Sequence, residues 1–473
     1  MKRLTAILPA ILISLSMQAQ SIIDPKDYSI EQKDVDRAQE IIGTPLGKPL
    51  SFPNPRSGAQ WYPDASLGLF MHWGIHSVLG VQPSWAMINH FIWNGGYCSP
   101  EKYYGQVHNF HPENYDPDKY LKAAKEAGFA YAVLTTRHHD GYALWPSKYG
   151  IGTRQYMGGR DLVREYVNAC RRNGLKVGLY YSPQDWHYPG AKNPEDFDEL
   201  TRHAPHPIAD SVENYRQYVR FLAYVTAQIE ELLTRYGKID VLWLDGMNWK
   251  GVKDMHAEQI YAWIRSIQPD IVINDRWSNV TDPGNPDGTG IRIGDFTTPF
   301  ECSKPDHTPS EWWEHCHIWT YGGGGWGYCK AGNFRPLGWF FEEFVASRSL
   351  GGNFLINVGP DGNGNMHPRF YEKIDSLSSW MKYGKESLIG AGPTPGERLS
   401  NVMLTTRGGK IWYAHVLPDF KKQVYVMTSC RPKSLILLST GEKVPFTFLG
   451  GSIYFNLKDS RRTNMDDVVK ITL

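Results

Sequence analysis

The sequence predicts a (β/α)8-like, TIM-type barrel followed by a small C-terminal antiparallel β-sandwich. Three observations carry this. From about residue 61 to 390, short β-rich runs alternate with helical patterns, as expected of βαβ units around a parallel sheet. The runs number roughly eight, and no Gly-rich phosphate loop follows the first, which favours a closed barrel over an open dinucleotide-binding sheet. After about Pro395 the helical spacing stops and short alternating strands take over.

Lys2 and Arg3 precede an apolar run that ends near Leu15, with small residues around Ala19. That is the layout of a signal peptide, so residues 1–19 are expected to be removed and the protein to be periplasmic or secreted. No stretch reaches the roughly 20 apolar residues of a spanning helix, so no membrane insertion is expected. Residues 20–60 form an N-terminal lead segment. Residues 61–394 are the barrel, with strands expected to end at His72, Thr136, Tyr181, Asp245, Asn274, Phe296, Ile318 and Asn357. Helices are expected over 117–128, 160–174, 210–237 and 255–268, with another carrying Phe341, Phe344 and Val345; several stop at glycine, as a left-handed C-cap prefers. Residues 395–473 make the sandwich, with runs at 402–406, 411–417, 424–429, 435–438, 446–448 and 453–457 and a Gly408-Gly409 hairpin signal.

Composition excludes some partners. Lys and Arg total 50 against 49 Asp and Glu, with no block of like charge, so no nucleic acid or acidic lipid surface is expected as a partner. Aromatic residues reach 13%, and flat rings with a polar edge suit sugar faces as well as cores. The six cysteines form no CxxC, and a disulfide within Cys302, Cys316 and Cys329 stays open. The sequence sets no oligomeric state.

Polar residues gather at the C-terminal ends of the expected strands, where a barrel's βα loops assemble an active site. His72 ends the first strand, where a packed core histidine is the alternative. His138 and His139, followed by Asp140, end the second. They suit metal ligation, sugar-hydroxyl binding or packing; neighbouring strand residues point to opposite faces, and a metal needs a further ligand, so hydroxyl binding is preferred and no metal is expected. Tyr181 ends the third strand, with Asp185 and Trp186 beyond it. Asp245 terminates an otherwise apolar strand and Gly246 follows. Burying a carboxylate without partners is costly, which makes Asp245 the first candidate for catalysis. Arg276 either positions that carboxylate or pairs with Asp275 on the surface. Glu301 supplies a second carboxylate from a later strand. Two carboxylates on different strands, among histidines and aromatics, are the parts for glycoside hydrolysis. The motifs of phosphoryl transfer and nicotinamide chemistry are missing.

These motifs resemble glycoside hydrolase family 29, the α-L-fucosidases. The resemblance rests on Leu69-Phe70-Met71-His72-Trp73-Gly74, His138-His139-Asp140-Gly141 with Leu144-Trp145-Pro146-Ser147, Gly178-Leu179-Tyr180-Tyr181-Ser182, Trp243-Leu244-Asp245-Gly246, Asn274-Asp275-Arg276, Trp326-Gly327-Tyr328, and the segment from Gly352 through Asn353-Phe354-Leu355-Ile356-Asn357 to Pro360. It implies a barrel plus sandwich and a retaining exo-hydrolase that removes terminal α-L-fucose from fucosylated glycans or oligosaccharides without a cofactor. By position it implies Asp245 as nucleophile, His72, His138, His139 and Tyr181 as hydroxyl ligands, and Arg276 beside the nucleophile. Two departures stand out. Ser84-Trp85-Ala86 occupies the place of a Glu-Trp-Tyr segment found in many members, so only Trp85 carries over, and Arg137 replaces a common lysine. The acid/base falls on Glu301, after Thr298-Pro299-Phe300, with Glu314 as rival. Alternatives are a catalytically dead barrel that binds sugars, and an exo-glycosidase acting on α-L-fucosides altered at C6.

Overall fold

The structure, a computed structural model, describes residues 25–48, 50–88, 96–188, 212–245, 256–277, 293–395 and 399–473. The expected signal peptide, Gly246, and the starts of the helices expected from 210 and 255 lie outside the described residues.

Eight parallel strands make the barrel: β1 (Leu67–Met71), β2 (Tyr131–Arg137), β3 (Lys176–Tyr181), β4 (Val241–Leu244), β5 (Val272–Ile273), β6 (Phe296–Thr297), β7 (Trp312–Ile318) and β8 (Asn353–Val358). Their order is β5-β4-β3-β2-β1-β8-β7-β6, and a parallel bridge between Asn274 and Phe296 joins the two ends of the sheet. The two-residue period of each strand sends alternate side chains inward and outward. Phe70, Tyr131, Val133, Tyr180, Trp243 and Leu355 fill the lumen, while Leu69, Leu134, Leu179, Leu242 and Ile356 pack outward against helices. Both faces are therefore buried, which is why the strands read as continuous apolar runs.

The longer helices are α1 (Gln32–Gly43), α2 (Pro117–Glu126), α3 (Leu162–Arg172), α4 (Val212–Arg235), α5 (Ala257–Ile267), α6 (Leu337–Ser349) and α7 (Pro368–Leu388). Asp116 and Asp161 accept the Lys119 and Arg164 backbone N–H groups and cap α2 and α3. Two helices were not foreseen: α1, which packs on α4 and α5, and α7, which follows β8. No helix separates β6 from β7, so residues 298–311 run as a loop at the barrel mouth. Among the described residues no helix is long and apolar enough to cross a membrane.

The C-terminal strands are β9 (Met403–Arg407), β10 (Ile411–Val416), β11 (Val424–Met427), β12 (Ser434–Leu437), β13 (Phe446–Leu449), β14 (Ser452–Phe455) and β15 (Asp467–Thr472). They form antiparallel sheets β12-β15-β10-β9 and β11-β14-β13 around Trp412, Val426, Leu435, Ile453 and Ile471. The last strand, β15, was not expected, yet it lies between β12 and β10. The sandwich is pinned to α7: the Trp380 indole donates to the Asp466 carbonyl (2.8 Å) and the Thr405 hydroxyl to the Ser387 carbonyl (2.6 Å).

Gly68, on the lumen face of β1, leaves the space that the Tyr131 ring occupies; a Cβ there would come within 2.3–2.6 Å of three carbons of that ring. The ring cannot yield freely, because its hydroxyl is held by Glu314. Gly68→Ala is expected to destabilise the fold by about 1–3 kcal/mol through overpacking. A urea unfolding midpoint equal to that of the parent would contradict this packing.

Candidate active site

The same two-residue period that points Trp243 into the lumen brings Asp245 to its upper end. One Asp245 oxygen accepts a hydrogen bond from Arg276 Nη1 (2.9 Å) and the other from the Tyr180 hydroxyl (2.9 Å). Burial works to raise this carboxyl, but the Arg276 charge, His139 and the two hydrogen bonds outweigh it, and Asp245 sits below the ordinary carboxylate range. Arg276 Nη1 also donates to Glu301 (3.1 Å), its Nε donates to Thr298 Oγ1 (3.0 Å), and its guanidinium rests on the Trp243 ring 4.7 Å from the centroid. Because both carboxylates touch one nitrogen, at 2.9 and 3.1 Å, those oxygens lie within about 6 Å of each other. Retaining glycosidases hold their carboxyls about 5–5.5 Å apart, and inverting ones about 6.5–9.5 Å.

Glu301 differs from Asp245 in its surroundings. Its side chain keeps 41% exposure at the mouth. Even so, withdrawal from bulk water and the nearby Asp245 charge raise its carboxyl above the usual range, against the pull of Arg276 and a Trp326 hydrogen bond. One carboxyl is thus pushed down and its neighbour up.

The residues beside Arg276 hold this arrangement. The Asn274 side chain accepts the Leu244 N–H (2.9 Å) and donates to the Leu244 carbonyl (2.8 Å), continuing the ladder where β5 ends. Asp275 accepts the Thr298 backbone N–H (3.2 Å), tying down the loop that leads to Glu301. Asp275 is fully buried, which removes the surface-pair reading.

Three imidazoles line the mouth, each anchored through Nδ1: His72 to Asn357 Oδ1 (2.8 Å), His138 to Ser84 Oγ (2.6 Å) and His139 to Ser182 Oγ (2.6 Å). Burial lowers His72 to about 4, and burial with the neighbouring histidines lowers His138, so both are neutral at neutral pH. His138 stacks on Tyr180 at 5.6 Å; His139 stacks on Trp186 at 5.4 Å and meets the edge of Trp85 at 5.6 Å. Among the described residues no three His, Cys, Asp or Glu side chains cluster as a metal site.

One expectation needs correction. Tyr181 is not in the lumen: it shares the outward face of β3 with Leu179, its hydroxyl donates to Gln228 on α4 (3.0 Å), and the Arg137 guanidinium covers its ring. Tyr180 holds the place instead, one residue earlier, on the face that β3 shares in register with Trp243. Glu314 is fully buried lower in the lumen, where Trp243 Nε1 (2.8 Å) and the Tyr62 (2.9 Å) and Tyr131 hydroxyls donate to it. Sealed beneath the Trp243 ring, it does not reach the mouth. Tyr180, Trp243, Ser84, Ser182 and Thr298 were not expected as site residues. The alternation of β3 with Val177 and Leu179 on its outer face is the signal that separates Tyr180 from Tyr181.

A family model for alpha-L-fucosidase matches residues 50–386, a span that contains all eight barrel strands. The chain belongs to the alpha-L-fucosidase family. Tissue alpha-L-fucosidase of Bos taurus is 27% identical over 384 residues, covering 76% of this chain and 74% of the relative. Alpha-L-fucosidase of Dictyostelium discoideum is 25% identical over 402 residues, covering 77% and 80%. Among solved structures, alpha-L-fucosidase isoenzyme 1 from Paenibacillus thiaminolyticus aligns with a TM-score of 0.71 at 29% identity, covering 88% of this chain and 99% of that one. A family GH29 alpha-L-fucosidase from Bacteroides thetaiotaomicron shares the fold with a TM-score of 0.73 at 22% identity, covering 91% and 98%. These are glycoside hydrolases, as the paired carboxylates suggest.

In this alpha-L-fucosidase fold the two tyrosines of β3 are separable by pH. Removing a donor from Asp245 raises its carboxyl, so the ionised form is lost at higher pH. Tyr180→Phe is expected to move the acid limb of kcat/KM upward by roughly half to one unit, whereas Tyr181→Phe leaves that limb in place. A shift in Tyr181→Phe alone would reverse the assignment.

Proposed function

We propose that the chain is a retaining exo-α-L-fucosidase that removes terminal α-L-fucose from fucosylated glycans or oligosaccharides, with Asp245 as nucleophile and Glu301 as acid/base. The observation that carries this is the single Arg276 nitrogen shared by the two carboxylates, which keeps their nearest oxygens within about 6 Å, a bound that the retaining spacing meets. Asp245, whose carboxyl is lowered, is the group suited to attack the anomeric carbon as the anion; Glu301, whose carboxyl burial and the Asp245 charge raise, is the group suited to carry a proton and give it to the departing glycosidic oxygen. Once Asp245 is esterified its charge is gone, and with it one cause of the raised Glu301. Glu301, left as the carboxylate by that transfer and held by Arg276, then takes a proton from the water that attacks the same carbon, which frees the sugar and restores the Asp245 carboxylate. No step calls for a cofactor.

The three Nδ1-anchored imidazoles turn their Nε2 edges to the sugar hydroxyls in this reading, and Trp85 offers an apolar face. A GH29 alpha-L-fucosidase from Bacteroides thetaiotaomicron has been trapped as a covalent intermediate with 2-fluoro-fucosyl fluoride, which supports the covalent route. A sugar-binding protein on a dead barrel would have no use for two carboxyls pushed in opposite directions. Residues 1–19 support export to the periplasm or exterior.

The test combines two variants with azide on an aryl α-L-fucoside. Asp245→Ala should lose at least about 10³-fold in kcat, and azide should restore turnover as the inverted β-fucosyl azide. Glu301→Ala should still form the fucosyl-enzyme, because a phenolate leaves without help, and azide should release it as the retained α-fucosyl azide. Folded Asp245→Ala with parental turnover, or the Glu301 signature appearing in Glu314→Ala instead, would overturn the assignment.

A further inference from the structure

Glu314 is a fully buried carboxyl that the proposed displacement does not use. Three donors converge on it, and burial raises it above the usual range while those hydrogen bonds oppose the rise. Leaving such a group in a barrel lumen is costly unless it is fully satisfied. Its arrangement leads upward. The Trp243 indole, held through Nε1 at 2.8 Å, stacks on Tyr180 with an interplanar angle of 20° and carries the Arg276 guanidinium on its face. Tyr180 and Arg276 are the two donors on Asp245. The Trp243 ring therefore packs against both groups that hold the attacking carboxylate, and the acceptor that fixes the rotation of that ring is Glu314.

We propose that Glu314 is a positioning residue: by holding the Trp243 indole it sets the ring against which Tyr180 and Arg276 pack, and through them the place of the Asp245 carboxylate. This rests on Asp245 being the nucleophile. A shift of about an ångström in a reacting group costs on the order of 100-fold, so a loose ring is felt in the chemical step. The sugar does not touch Glu314, so its binding should change little.

The experiment compares Glu314→Leu, Glu314→Gln and Trp243→Phe on an aryl α-L-fucoside, whose leaving group needs no acid, with thermal unfolding of each variant as a check on folding. Glu314→Leu and Trp243→Phe, the latter keeping a ring but removing the N–H, should each lower kcat on the order of 10–100-fold with KM changed less than about threefold. In both, the acid limb of kcat/KM should move to higher pH, because donors that lower Asp245 are loosened. Glu314→Gln keeps an acceptor for the indole and should recover most of the loss. The double variant Glu314→Leu/Trp243→Phe should be no worse than the poorer single one, since both break the same link. Parental kcat and an unmoved acid limb in folded Trp243→Phe would overturn the proposal, even if Glu314→Leu fails to fold. Turnover surviving in Asp245→Ala would instead remove the nucleophile assignment on which the proposal stands.

Discussion

The Arg276 guanidinium is the contact on which the site depends. It donates to Asp245 and Glu301 from one nitrogen and to Thr298 from another, while its flat face lies on Trp243. A cation bridging two carboxyls at the end of a barrel lumen answers two demands together. It offsets the cost of drawing the Asp245 charge away from water, and it holds the Glu301 carboxyl beside that charge. Breaking such a pair would leave a buried charge uncompensated, at about 3–5 kcal/mol, so the arrangement is stable only as a set. The asymmetry between the carboxyls follows from the set: Asp245 has two donors and less water, while Glu301 has the mouth on one side and the Asp245 charge on the other.

The barrel supplies this set by stacking polar and aromatic layers. Low in the lumen, Tyr62 and Tyr131 close on Glu314; above it the Trp243 and Tyr180 rings stack side by side; at the mouth stand Arg276 and the two carboxyls it bridges. The loop from β6 to β7, uninterrupted by a helix, lets Glu301 return over the mouth, and Asp275 holds that loop by the Thr298 N–H. The sandwich packs on α7 through Trp380 and Thr405 and contributes none of the side chains described at the mouth.

Some of this was legible in the sequence. An aspartate ending an apolar strand, an arginine ending the next and two histidines ending another are residues whose burial needs a reason, and the structure brings Asp245, Arg276, His138 and His139 together. Strand facing was harder to read. In Gly178-Leu179-Tyr180-Tyr181 both tyrosines are amphipathic, so composition does not choose between them; the parity of Val177 and Leu179 does, and a one-residue shift moves a side chain from lumen to helix layer. Glu314, the rival to Glu301, raised a related difficulty: it too is a carboxylate on a late strand, but it enters the lumen near the start of β7, whereas Glu301 follows the end of β6. The strand β15 escaped because Asp467 and Lys470 interrupt its apolar run, although Asp467 is buried against Arg462. The cysteine pairing left open by the sequence has no counterpart among the described residues, where all six thiols are free.

The central claim, that Asp245 is the carboxylate held by Arg276 for attack, is tested most directly by covalent labelling. The protein is incubated with 2-fluoro-fucosyl fluoride, digested, and the labelled peptide sequenced by mass spectrometry. The account predicts one fluorofucosyl group per chain, on Asp245, with activity lost in step with labelling. A label on Glu301 or Glu314, or a first-formed product of inverted configuration with no label at all, would contradict it.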